Sequence, residues 1–320
     1  SRRDGLERED AVMNGWKGLG AALVLALAGG LAVADGEAAE KDPPFILVPS
    51  DTAGVEVPAG TLVAVFALFE NGAWRGVDRI KPDASAVAPR KAFRLDDPNR
   101  AYTLKPTVAA RPCLEPSERV DLLYLPQEPG RAESGHKCAY ALTNQPARHF
   151  PIKSAREVPH LEALCARMLK EAQPLEEALR KECDTYPDNC WRVPYDPATL
   201  QPPELTSVTA FDLAPGVPGF FVVLRRPPAE TAENPTPTDA ATYWTGIVGK
   251  DSPEPLWERC WLPLHEKAEK GFRLLGAADL NGDGVTEIVV SWQGWESHMV
   301  TLFEYRDGRL VPVLRGGYGC

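Results

Sequence analysis

Residues 279–287 read Asp-Leu-Asn-Gly-Asp-Gly-Val-Thr-Glu, a D-x-N-x-D-G-x-x-E spacing. Oxygen-bearing side chains at alternate positions of a tight loop can converge on one hard cation. Asp279, Asn281 and Asp283 supply side-chain oxygens, and Val285 supplies a backbone carbonyl. Glu287 completes the set directly or through water. Gly284 permits the sharp reversal that convergence needs. A flexible loop offering about six or seven oxygens favours calcium over the smaller magnesium ion. The plainer alternative is a polar turn that binds nothing.

No other grouping of residues assembles a recognisable chemistry. The chain has no G-x-S-x-G elbow, no H-E-x-x-H and no glycine-rich phosphate loop. His265-Glu266 is followed by Lys267-Ala268-Glu269, which lacks the second histidine of a zinc protease. Glu296 and His298 could act as an acid–base pair, although an exposed hairpin loop explains both residues more cheaply. Five tryptophans (Trp244, Trp257, Trp261, Trp292 and Trp295) lie in the last eighty residues. Indoles fill the core of small β domains, and exposed ones stack on sugar rings or grip a protein partner. Trp295, in the loop Gln293-Gly294-Trp295-Glu296, is the expected exposed member.

The acidic loop is not an EF-hand. That motif needs a bidentate Glu at its twelfth position, where this chain has Val290, and its flanks are helices. Here the flanks, Arg273 to Gly276 and Ile288 to Trp292, are strand-like. Loop and flanks together resemble the calcium hairpins of FG-GAP and VCBS repeats, over about fifteen residues. Asn281 and Glu287 stand where that family often has Asp. The resemblance implies an ion held between two antiparallel strands by Asp279, Asn281, Asp283, Val285 and Glu287. It also implies repeated antiparallel units, as in integrin-type propellers. An echo fits this: Ala210-Phe211-Asp212-Leu213 leads through Gly216 to Phe220-Phe221-Val222-Val223, about 67 residues before the metal hairpin. Chance similarity of two hairpins is the alternative.

The elements that position the loop are mostly β. Thr61 to Phe69 is a β-favouring run, and Asn71-Gly72 supplies the two positive-φ positions of a type I′ hairpin before Trp74. Strands are expected around Tyr102, Val120 to Leu125 and Cys138 to Leu142. More are expected at Ser207 to Phe211, Phe220 to Arg225, Tyr243 to Val248 and Glu258 to Leu262. After the metal loop's own strands come Met299 to Tyr305 and Leu310 to Leu314, joined at Asp307-Gly308. Between these groups Leu161, Leu164, Cys165, Met168 and Leu169 recur at helical spacing, and Pro174 is expected to end or kink that helix. The expected fold is α+β and mostly antiparallel β, with a propeller-like fragment at the C-terminus. Residues 35–152 form a β-rich domain, residues 153–203 a helical insert with a Pro-rich connection, and residues 204–320 a second β-rich domain.

The 320 residues carry a net charge of −10, which disfavours nucleic acid and suits a protein that holds divalent cations. Residues 18–34 are uncharged and apolar, preceded by Lys17 and ending Ala32-Val33-Ala34. That is the order of a secretion signal cleaved after Ala34, with Met13 as the true start. A retained N-terminal membrane anchor is the alternative, and no later segment could span a membrane. All seven cysteines follow the signal, as suits an oxidising compartment. The expected pairs are Cys113 with Cys138 and Cys260 with Cys320, while Cys165, Cys183 and Cys190 share one bridge. A zinc site is disfavoured by the absence of any C-x-x-C. The reading is an exported, calcium-stabilised binding or scaffold protein of the periplasm or exterior, with a glycan or surface protein as partner. The alternative is a secreted hydrolase.

Overall fold

The computed structural model describes residues 43–50, 62–76, 90–97, 99–110, 120–127, 141–144, 148–149, 152–185, 200–227, 241–262, 271–294 and 297–319. The expected secretion signal and Trp295 lie outside them. Asp42–Cys320 group into one compact unit. Among the described residues no helix is long and apolar enough to cross a membrane.

The N-terminal part is a closed antiparallel sheet. Its strands are β1 (Phe45–Ser50), β2 (Leu62–Glu70), β3 (Ala73–Gly76), β4 (Arg90–Arg94), β5 (Ala101–Ala110), β6 (Val120–Gln127) and β7 (Leu142–Thr143). They run β1-β7-β4-β5-β6-β2-β3, and β1 also pairs with β2, closing six strands into a barrel with β3 appended. Asn71 and Gly72 take φ of 53° and 77°, the primed turn that their sequence calls for. Strand alternation divides the apolar residues between two faces. Phe45, Leu47, Val63, Ala92, Tyr102, Leu104, Tyr124 and Leu142, drawn from all six closed strands, fill the interior. Ile46, Val48, Phe66, Ala67 and Trp74 face outward.

Two further sheets follow. The outer sheet is β9 (Lys153–Ser154), β10 (Glu204–Ala214), β11 (Val217–Arg226), β12 (Thr242–Gly249) and β13 (Pro255–Trp261), in that spatial order. The central sheet is β8 (Arg148–His149), β14 (Gly271–Asp279), β15 (Thr286–Gln293), β16 (Ser297–Arg306) and β17 (Arg309–Gly319), in the same pattern. Each is thus a four-stranded meander with one two-residue strand beside its first member. The hairpin β10–β11, which echoes the acidic hairpin in sequence, occupies the same place in its meander as β14–β15.

The layers stack through three apolar interfaces. The outward barrel residues pack on Leu275, Ala278, Leu280, Val289, Val300 and Leu302 of the central sheet and its turn. The opposite face of that sheet, with Ala277, Ile288, Val290 and Phe303, meets Phe211, Leu213, Phe221 and Ile247 of the outer sheet. Helix α1 (Leu161–Thr185) covers the far side of the outer sheet through Leu164 and Met168, against Val208, Val222, Leu224, Trp244 and Val248. Because both faces of β15 are covered, Thr286 to Ser291 are all buried, which explains its nearly unbroken apolar run. The ladder shifts register between Leu274 and Gly276, and at the intervening residue the Ala141 amide donates to the Leu275 carbonyl at 3.2 Å.

Pro174 neither ends nor breaks α1, which continues through it as a helix of 25 residues. Proline removes one backbone bond, but contacts on either side hold the helix down. Ala172 is fully buried before it, and after it Glu176 accepts from Thr242 Oγ1 at 2.8 Å and from Arg226 Nη1 at 2.5 Å. Nearer the N-terminus, Arg167 forks onto Glu258 of β13, whose Oε2 also accepts from Trp244 Nε1 at 2.9 Å.

Candidate metal-binding turn

The D-x-N-x-D-G-x-x-E segment is the turn between β14 and β15. Asp279 closes β14, and Gly282 and Gly284 take φ of 80° and 83°, a region that side chains with a Cβ rarely enter. The oxygens fold the turn on itself. Asp279 Oδ1 accepts from the Gly282 amide at 2.8 Å and Oδ2 from the Gly284 amide at 3.1 Å. Asn281 Oδ1 accepts from the Asp283 amide at 2.9 Å, and Asp283 Oδ1 from the Val285 amide at 2.8 Å. Asn281 Nδ2 also donates to Asp283 Oδ2 at 3.2 Å.

Glu287 takes a different direction. Its residue is fully buried and opposes Ala278, so it lies on the barrel-facing side of the central sheet. Its Oε2 accepts from the Leu280 amide at 2.8 Å, and its Oε1 from the Trp74 indole of β3 at 3.1 Å. Leu280, also buried, packs with Trp74 into the barrel interface. The start of the turn is therefore anchored against the barrel through Leu280, while Gly282, Asp283 and Gly284 are exposed. Burial pushes the Glu287 carboxyl up to about 8; the Leu280 and Trp74 bonds pull it down, and the charges of Asp283 and Glu304 raise it further.

Glu304, which sequence reasoning did not single out, stands directly across the strands from Glu287 and is also buried. Burial raises its carboxyl, while Arg306, donating from Nε at 2.8 Å, works the other way. The same Arg306 reaches Asp283 at 3.6 Å. Four carboxylates (Asp279, Asp283, Glu287 and Glu304) thus gather at one end of the central sheet, and two of them, Asp283 and Glu304, pair with the half-exposed Arg306. The structure brings Asp279, Asn281 and Asp283 into one turn and joins Glu287 to it through the Leu280 amide. Among the described residues, no three His, Cys, Asp or Glu side chains already form a metal-ready group.

The tryptophans that are described serve packing. Trp244 is fully buried under α1, Trp257 meets Phe272 and Phe303 edge-on between the sheets, and Trp261 stacks on Tyr243. Cys165 and Cys260 are free thiols packed beside the α1 interface; Cys320, the expected partner of Cys260, lies outside the described residues. Comparison with protein-family models, curated proteins and solved structures gives no match.

Proposed function

We propose that this chain is an exported, calcium-stabilised binding or scaffold protein of the periplasm or cell exterior, with no catalytic site of its own. One observation carries the reading: an oxygen-rich turn, anchored to the barrel interface through Leu280, lies beside two buried glutamates. Buried carboxylates need a proton or a cation to offset their lost hydration. Asp279, Asn281, Asp283 and the Val285 carbonyl would hold the ion, with Glu287 joining directly or through water. Calcium there stabilises only the folded chain and stiffens the hairpin. The resemblance to FG-GAP and VCBS hairpins supports the same ion. We read the two meanders as diverged copies of one propeller-type unit, the earlier having kept Asp212 and Gly216 and lost the other ligands. A glycan or surface protein is the partner class, consistent with the acidic charge.

Calorimetric titration of the chain from Asp35 with calcium tests the metal directly. One equivalent should bind, and the Asp279→Ala/Asp283→Ala variant should give no heat. A titration without heat in the parent chain, with no competition against a fluorescent chelator, would remove the ion from the account.

A further inference from the structure

Arg306 closes β16, next to the Asp307-Gly308 turn that leads into β17. Its Nε donates to Glu304 Oε2 at 2.8 Å, and its Nη2 lies 3.6 Å from Asp283 Oδ2. One guanidinium thus joins two elements, because Glu304 belongs to its own strand and Asp283 to the turn between β14 and β15. Strand alternation puts Glu304 and Arg306 on one face of β16. The direct pairing of Glu304 with Glu287 makes that the barrel-facing side. Among the described residues, no other cation pairs with the carboxylates of this end of the sheet.

The two partners of Arg306 differ in what they lose without it. The Asp283 side chain is 38% exposed, whereas that of Glu304 is 7% exposed. Water hydrates the first carboxylate when its cation leaves, while the second needs another cation or a proton. Glu287, fully buried across the strands, adds to that need. Both oxygens of Asp283 already meet donors of the chain itself. Oδ1 accepts from the Val285 amide at 2.8 Å, and Oδ2 accepts from Asn281 Nδ2 at 3.2 Å with Arg306 beside it. Oδ2 of an expected metal ligand is therefore held by a cation that the chain supplies.

We propose that Arg306 is the resident counter-ion of the turn, tying Asp283 to Glu304 in the metal-free chain, and that it must leave Asp283 before calcium is bound. Arg306 then sets the calcium affinity. A guanidinium and a divalent ion compete for the same carboxylate and repel each other at close range. The Arg306 side chain is half exposed, so it can turn into water at small cost. Its departure frees Asp283 Oδ2 for the ion, and the ion's charge replaces the one that Glu304 had beside it. The turn is thus fastened to β16 without metal and answers to calcium in a weaker range than its oxygens alone would give. The inference rests on the calcium reading above and deepens it.

The test compares the parent chain with Arg306→Gln and with Arg309→Gln as a control. Arg309 is exposed and directly paired across the strands with Arg306, and among the described residues it has no carboxylate partner. Its loss removes the same charge from the same end of the sheet without breaking the pair. Competition against a fluorescent chelator reads the affinity. Arg306→Gln should bind calcium at least about threefold more tightly than the parent, and Arg309→Gln should stay closer to the parent. Thermal melts in EDTA add a readout without the ion. There Arg306→Gln should melt below the parent, because buried Glu304 loses its cation, and the gap should narrow in millimolar calcium. Equal affinities in parent and Arg306→Gln, or an equal gain from both arginine substitutions, overturn the inference and leave the calcium reading intact. So does an EDTA melt of Arg306→Gln no lower than that of the parent. Calcium binding by none of the three chains defeats the calcium reading itself, and this inference with it.

Discussion

Trp74 and Glu287 are 213 residues apart in sequence, yet one hydrogen bond ties the strand appended to the barrel to the strand that follows the acidic turn. Trp74→Phe keeps most of the ring and removes the donor, leaving a buried carboxylate oxygen with one partner fewer. Urea unfolding should show a loss of about 1–3 kcal/mol. Cys260 gives a second residue-scale prediction. Burial first, then the charges of Glu176 and Glu171, push its thiol up to about 12. Iodoacetamide at pH 8 should therefore leave Cys260 unmodified in the native protein and label it once urea unfolds the chain, as mass spectrometry can read. The turn built by Asp279, Asn281 and Asp283 was legible because the hydrogen bonds that fold it are local. Glu304 and Trp74 were not, since their places depend on strand register and on barrel docking, neither of which leaves a local spacing.

At the scale of elements, hairpins with Asn71-Gly72 and Asp307-Gly308 were readable from their turns, and both carry the positive φ pair. The strand β1 was not. Phe45 to Val48 are buried on both faces, so no alternation marks them. The central sheet meets the barrel at Gly276, where an added Cβ would lie 2.3 Å from Leu95 Cβ. Gly276→Ala should destabilise by about 1–3 kcal/mol, the cost of overpacking, measured by chemical denaturation. The helix is held to the outer sheet by ion pairs as well as by Leu164 and Met168. Burial disfavours the charge of Glu258, but bonds from Arg167 and Trp244 outweigh it and hold the carboxyl below its usual value of 4.5. Its folded pKa lies below the unfolded one, so this stabilisation is present above about pH 4.5 and is lost as pH falls further. Arg167→Met should flatten that acid-side decline in urea midpoint.

The molecule as a whole is a stack of helix, outer sheet, central sheet and barrel, assembled so that the acidic turn starts at a layer boundary. Composition and turn signals gave a mostly antiparallel β chain with one helix. They could not show that the N-terminal strands close on themselves, because closure lies in the pairing of β1 with β2 and of β7 with its neighbours. Nor could they show that two-residue strands, β8 and β9, stitch the middle of the chain to both later sheets. If the turn holds calcium, the ion braces the barrel against the central sheet, and its effect must appear in the stability of the whole unit. The most direct measurement is a thermal melt of the chain from Asp35 in EDTA and in millimolar calcium, beside Asp279→Ala/Asp283→Ala. The account predicts a midpoint several degrees higher with calcium and no such shift in the variant. Equal midpoints in EDTA and calcium would contradict it and leave residues 279–287 as an ordinary turn.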